Sequence, residues 1–219
     1  LLTASQNLNM GIVMSGDAAG DTILNVENIV WTFGDFLYGN ALANDLFGRG
    51  MLEGFAGADN IRAQNSATSY ASYANAGNGY LAGQGITTAL GQGVTATLTT
   101  SFSVGPAVFN SGDAAGDTYV NINNLMGSAF DDVLIGNNAG NILNGGEGND
   151  LLEGLSGADT FIGGAGNDTV TYVHSTTGVT ADFSGTFAGT NDASGDQFIG
   201  IENLTGSNFN DSLYGNGND

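Results

Sequence analysis

The sequence predicts an all-β chain wound as a parallel solenoid, and three observations carry that expectation. Over 127–171 a nine-residue frame runs five times without a slip: GSAFDDVLI, GNNAGNILN, GGEGNDLLE, GLSGADTFI, GGAGNDTVT. The sixth position of the frame is Asp132, Asn141, Asp150, Asp159 and Asp168, and the eighth is Leu134, Leu143, Leu152, Phe161 and Val170. The composition agrees, with 37 Gly, 1 Pro and no Cys in 219 residues, so the chain turns often and has no disulfide or thiolate to brace it.

Taken in order, the elements are versions of one larger module. GDAAGDT at 16–22 returns as GDAAGDT at 112–118 and NDASGDQ at 191–197, while VENI at 26–29 returns as INNL at 122–125 and IENL at 201–204. Each is followed by an Asp-bearing turn and a Leu, in GDFLYGN at 34–40, DDVLIGN at 131–137 and NDSLYGN at 210–216. The first module, 1–62, is degenerate: Leu37, Leu46, Leu52 and Ile61 are spaced nine, six and nine because GRG at 48–50 replaces a full turn. It is expected to bind fewer ions. An Ala/Ser/Thr/Gly-rich insertion follows at 63–111, with VTATLTTSFSV at 94–104 alternating as a strand does. The well-formed module spans 112–171, and a third, truncated one spans 172–219, opening on the strand-like YVHSTTGVTADFSGTF at 172–187. These β-rich stretches are expected to flank or cover the coils, and helix is expected to be minor.

Charge bounds the partners. Arg49 and Arg62 stand against 22 acidic residues, for a net charge of −20, which excludes electrostatic attraction to nucleic acid or anionic membranes. The natural counter-charge is a divalent cation. With no window of about eighteen apolar residues, membrane insertion is not expected. The start, LLTASQNLNM, has no initiating Met or basic leader region, and the end stops inside another repeat, so a piece or processed product of a longer polypeptide is expected.

The nine-residue spacing makes an ion site because six residues turn and three form a strand whose middle side chain points inward. Glycine early in the turn lets backbone carbonyls face a common point. Two nonapeptides close one coil, so residues eighteen apart stack at about 4.8 Å. Asp132, Asp150 and Asp168 then share one edge, and Asn141 and Asp159 the other. Stacked carboxylates repel by roughly 1 kcal/mol in bulk water and several-fold more in a lower dielectric. A hard cation taking six to eight oxygens reverses that sign, which favours Ca²⁺ over Mg²⁺ with its strict octahedron, and over zinc, whose Cys and His ligands are missing. One inward side chain per nine residues contributes less than ordering nine backbones costs, so the chain is expected to be disordered until it binds calcium. Asn141 brings no charge, so its edge should be the weaker. The Asp pairs of the GDAAGD segments (Asp17 and Asp21, Asp113 and Asp117, Asp192 and Asp196) read equally as further ion sites or as turn caps.

These residues resemble the RTX, or hemolysin-type, calcium-binding repeat family, strongly over 127–171 and more loosely over 16–62 and 191–219. The resemblance implies a right-handed parallel β-roll with Ca²⁺ between turns, type I secretion from a Gram-negative bacterium, and folding outside the cell where calcium is higher. Carried over by position, the metal residues are Asp132, Asn141, Asp150, Asp159 and Asp168, with turn glycines Gly127, Gly136, Gly145, Gly148, Gly154, Gly163 and Gly166. Asp35 and Asp59 match in the first module, with Asn44 a weaker fit, and Asp211 and Asp219 match in the third.

No enzyme is expected. HExxH and GxSxG motifs are missing, and the lone His174 reads as a surface residue in a Thr/Ser segment. Trp31, Tyr70, Tyr73 and Tyr80 are aromatics that read as packing more than as sugar platforms. Two functions remain open. One is a structural element of an extracellular fibre, surface layer, matrix or adhesin that associates with copies of itself or other surface components. The other is the calcium-dependent accessory module of a secreted protease, lipase, epimerase or toxin.

Overall fold

The computed structural model describes residues 12–14, 28–31, 35–39, 43–64, 67, 69–76, 92–99 and 110–215. They form strands β1 to β19, numbered along the chain, and every strand pair is parallel. One sheet runs β1 (Ile12–Met14), β2 (Asn28–Trp31), β4 (Asp45–Gly48), β6 (Asn60–Ala63), β9 (Thr118–Val120). A second runs β3 (Asp35–Tyr38), β5 (Gly50–Glu53), β7 (Tyr70–Ser72), β10 (Asn124–Met126), β12 (Ile142–Glu147), β14 (Thr160–Ala165), β17 (Gln197–Ile199). A third runs β8 (Thr95–Thr97), β11 (Val133–Ile135), β13 (Leu151–Glu153), β15 (Thr169–Thr171), β18 (Asn203–Thr205). In the fourth, β16 (Thr180–Asp182) pairs with β19 (Ser212–Tyr214). Among the described residues helical turns are 3-10 only, as at Gly112–Ala114 and Asn191–Ala193. This is an all-β parallel roll.

The register follows from the frame. Leu125 pairs with Leu143 and Leu143 with Phe161 on one face, and Leu134 with Leu152 and Leu152 with Val170 on the other. All six are fully buried, because the middle residue of a three-residue strand points to the axis and its neighbours point out. In the first module Leu37 pairs with Leu52 and Leu46 with Ile61, a stagger of fifteen instead of eighteen. β4 reaches β5 through Arg49 alone, with Gly50 at φ +89, so an entire turn is missing on that edge. Across the same strands Arg62 pairs with Asp45 at 2.7 Å and lies over the Phe47 ring.

The inserted stretches do more than flank the coils. Only Thr95–Thr97 of the 94–104 run is described as strand, residues 100–109 lying outside the described set, and only Thr180–Asp182 of 172–187 is strand. Each short strand starts a new sheet and makes its coil three-sided, in the order β6, β7, β8 and again β14, β15, β16. Before β8 the strands lie on the first and second sheets; after β9, the last strand of the first sheet, they lie on the second and third. From β16 the coil is three-sided again, with β17 ending the second sheet and β18 and β19 extending the third and fourth. The roll thus moves round by one face at β8 and again at β16.

Candidate metal-binding turns

The turns join strands at the two edges of the roll, and the side chain at the sixth position points back along the stack. On one edge the Asp132 N–H donates to Asp150 Oδ1 and the Asp150 N–H to Asp168 Oδ1, both at 2.9 Å. Val94 N–H enters this ladder on Asp132 Oδ1, and Glu202 Oε2 ends it by accepting from the Asp168 N–H at 2.8 Å. On the other edge the Asn141 N–H donates to Asp159 Oδ1 at 2.8 Å and the Asp159 N–H to Asp196 Oδ1 at 2.9 Å. The first module repeats that edge, Asn44 N–H to Asp59 at 2.7 Å and Asp59 N–H to Asp117 at 2.9 Å. The expected sixth-position residues are thus brought together as two stacks.

Within the stacks the side chains differ. The second carboxylate oxygens of Asp59, Asp150, Asp159 and Asp168 are buried without a hydrogen-bond partner. A buried carboxylate oxygen left so is costly unless something outside the chain satisfies it. Each faces the first glycine of its own turn: a methyl group would lie 2.0 Å from that oxygen at Gly54, Gly145 and Gly154, and 2.4 Å at Gly163. At two of the four a backbone carbonyl closes the same space, Gly163 O at 2.8 Å from a methyl at Gly145 and Gly200 O at 2.0 Å from one at Gly163. The second residue of these four turns has positive φ: Phe55 at 65, Gly146 at 114, Leu155 at 69, Gly164 at 115. For Phe and Leu that conformation is costly and marks a turn held for a purpose.

Asp132 and Asn141 are built otherwise. Ser128 donates its N–H to Asp132 Oδ2 at 2.6 Å and its hydroxyl to the same carboxylate, while Asn137 N–H donates to Asn141 Oδ1 at 2.8 Å. Asp211 accepts from the Ser207 hydroxyl and the Val179 N–H. At Asp132 and Asn141 the second residue of the turn thus satisfies the sixth, whereas both bonds to Asp211 fall on Oδ1, and its Oδ2 faces Gly206, where a methyl would lie 2.3 Å away. Gly127 and Gly136 still face those side chains, and Gly148 and Gly166, both at positive φ, stack eighteen residues apart with a methyl at Gly166 placed 1.7 Å from Gly148 O. The side chain of Asp35 and the whole of Asp219 lie outside the described residues, as do Asp17, Asp21 and Tyr80.

Burial dominates the electrostatics. It raises the carboxyls of Asp150 and Asp159 to about 7 and that of Asp59 to about 6, with neighbouring carboxylates adding to the rise. Among the described residues no three acidic or histidine side chains converge on a point. The open atoms in these turns are carboxylate oxygens, with backbone carbonyl oxygens beside those of Asp150 and Asp168, and hard oxygen donors are the kind that suit calcium.

His174 corrects the expectation of a surface residue. It is 6% exposed, and its Nδ1 lies 2.6 Å from Oε2 of buried Glu153, whose Oε1 accepts the His174 N–H. Asn75 makes the same pair of contacts to Glu53 in the first module. Sequence reasoning also passed over Tyr73 and Tyr172 as site residues. The signal was present: MLEGFAGAD at 51–59 recurs as LLEGLSGAD at 151–159, with a Tyr after each.

The family model of the RTX calcium-binding nonapeptide repeat matches this chain in four copies, over residues 121–152, 135–170 and 198–219. No curated protein matches the chain.

Proposed function

We propose that this chain, which carries RTX repeats and so binds calcium through them, is an extracellular structural or assembly element that folds on calcium after secretion. Asp59, Asp150, Asp159 and Asp168 hold the ions through their open oxygens, with carbonyls of the stacked turns completing each shell. Asp132 and Asn141 serve as turn locks that set the stack. When bound, calcium supplies the positive charge that the edges lack. The residues orient the carbonyls, exclude water by burial and keep successive carboxylates in register.

The observation that carries the structural reading is the handing-on of the roll from face to face across three modules on continuous sheets. Such an array extends by adding modules, as fibre and surface-layer proteins require. Among the described residues no helix is long and apolar enough to cross a membrane, and export through a type I system with assembly among copies or other surface components follows from this reading. Light scattering and electron microscopy at micromolar protein test it: calcium-dependent assemblies are expected at millimolar Ca²⁺. A chain that folds with calcium yet stays monomeric refutes the assembly role and leaves an accessory module of a secreted enzyme or toxin.

A further inference from the structure

The GDAAGD segments occupy the place of a nonapeptide turn. Residues 112–117 and 191–196 each make a 3-10 turn and then a sharp bend at Gly116 or Gly195, at φ +90 and +91, pressed against Ala58 or Ala158. They deliver Asp117 and Asp196 to the next rung of the stack, where Oδ1 accepts the N–H of Asp59 or Asp159 at 2.9 Å. The following residues, Thr118 and Gln197, then donate to the carbonyls of Asp59 and Asp159, as strand residues one coil up should.

What distinguishes these two aspartates from the rungs beneath them is the second oxygen. Tyr73 donates its hydroxyl to Asp117 Oδ2, and Tyr172 donates to Asp196 Oδ2, both at 2.8 Å. Both tyrosines are buried, Tyr73 with its hydroxyl also against that of Tyr119, and both come from the coil entering the junction. At Asp59 and Asp159 the same oxygen is open. The arrangement occurs twice with the same partners and distances, while the segments between differ in length and sequence.

We propose that Asp117 with Tyr73, and Asp196 with Tyr172, are metal-free end caps: the tyrosine hydroxyl takes the carboxylate oxygen that an ion takes on the preceding rung, so the second Asp of each GDAAGD positions the ion-binding Asp59 or Asp159 without being a calcium ligand. The proposal rests on the reading of Asp59 and Asp159 as ligands. The caps fix where the Asn44–Asp59 and Asn141–Asp159 ladders stop, and hence how many ions that edge takes, and they place a polar lock at each point where the roll changes face.

Calcium titration calorimetry on the full chain, with far-UV circular dichroism beside it, tests both statements separately. Asp159→Asn should lose one ion, and retention of the parent number sinks the ligand reading. Asp196→Ala should keep the ion count but weaken the site on that edge by about tenfold or more, since the Asp159 N–H loses its acceptor. Asp196→Asn, which keeps an acceptor oxygen without the charge, should restore affinity to within about threefold of the parent. Loss of one ion in Asp196→Asn, or an affinity as poor as that of the alanine variant, overturns the cap. The pair Asp59→Asn and Asp117→Asn gives the same contrast in the other module, so a misfolded variant at one junction leaves the outcome decidable.

Discussion

Filling one glycine cradle should weaken an ion site by displacing its carboxylate without removing that residue from the chain. In Gly145→Ala the new methyl falls 2.0 Å from Asp150 Oδ2 and 2.8 Å from the Gly163 carbonyl oxygen. Ordinary non-bonded approach is about 3.5 Å, so the Asp150 oxygen must retreat by roughly 1.5 Å. Calcium–oxygen bonds of about 2.3–2.6 Å tolerate only a few tenths, so the carboxylate leaves the shell. Overpacking itself costs about 1–3 kcal/mol. At that site affinity should fall by about a hundredfold, near 2.7 kcal/mol, and the calcium midpoint of folding should rise. Gly215→Ala is the control, since a methyl there meets nothing within 4 Å. Titration calorimetry and circular dichroism read both. If Gly145→Ala binds the parent number of ions with parent affinity, the cradle is not where calcium sits.

The other expectations concern charge and the buried pairs. Asp150→Ala should raise the calcium midpoint of folding more than Asp159→Ala, because Asp150 stands between two carboxylate rungs and Asp159 next to the neutral Asn141; equal shifts in a circular dichroism titration contradict this. Burial holds Asp150 and Asp159 at about 7, well above their unfolded values, so their contribution to the metal-free fold is complete below about pH 4 and lost as pH rises through 7. In chelator, strand signal should therefore grow on acidification from pH 8 to 5 at low ionic strength, and calcium added near pH 6.5 should release protons, measurable with an indicator dye; order falling over the same acidification contradicts it. His174→Asn, which copies the Asn75 arrangement on Glu53, should cost under about 1 kcal/mol of stability in calcium, whereas His174→Ala should cost about 3 kcal/mol by leaving Glu153 Oε2 buried without its partner; denaturant melts showing equal costs would refute that role.

The parallel roll was legible because two periods are written in the residues themselves. Position eight carries the apolar column and position six the ladder, and Leu134, Leu152 and Val170 pair as that frame requires. The missing turn at GRG was legible too, as the fifteen-residue stagger of Leu37 on Leu52. What separates Asp150 from Asp132 is not position six but position two: Gly146 can take φ +114, whereas Ser128 turns its N–H onto the carboxylate. That distinction is a backbone conformation, and a frame read only at positions six and eight does not contain it. The third strand of each junction was harder, since Thr95–Thr97 and Thr180–Asp182 are three residues long and are fixed by pairing with strands 32 to 38 residues away. The burial of His174 likewise depends on Glu153, which is 21 residues distant and meets it only once the coil closes.

Metal-dependent cohesion is tested most directly by amide hydrogen exchange of the full chain in millimolar calcium and after exhaustive chelation at pH 7.5. Strand amides of 124–171 should be protected with calcium and exchange at near-unfolded rates without it. Equal protection in both conditions, with the strand signal unchanged, would mean that the apolar column and the backbone ladder hold the roll by themselves.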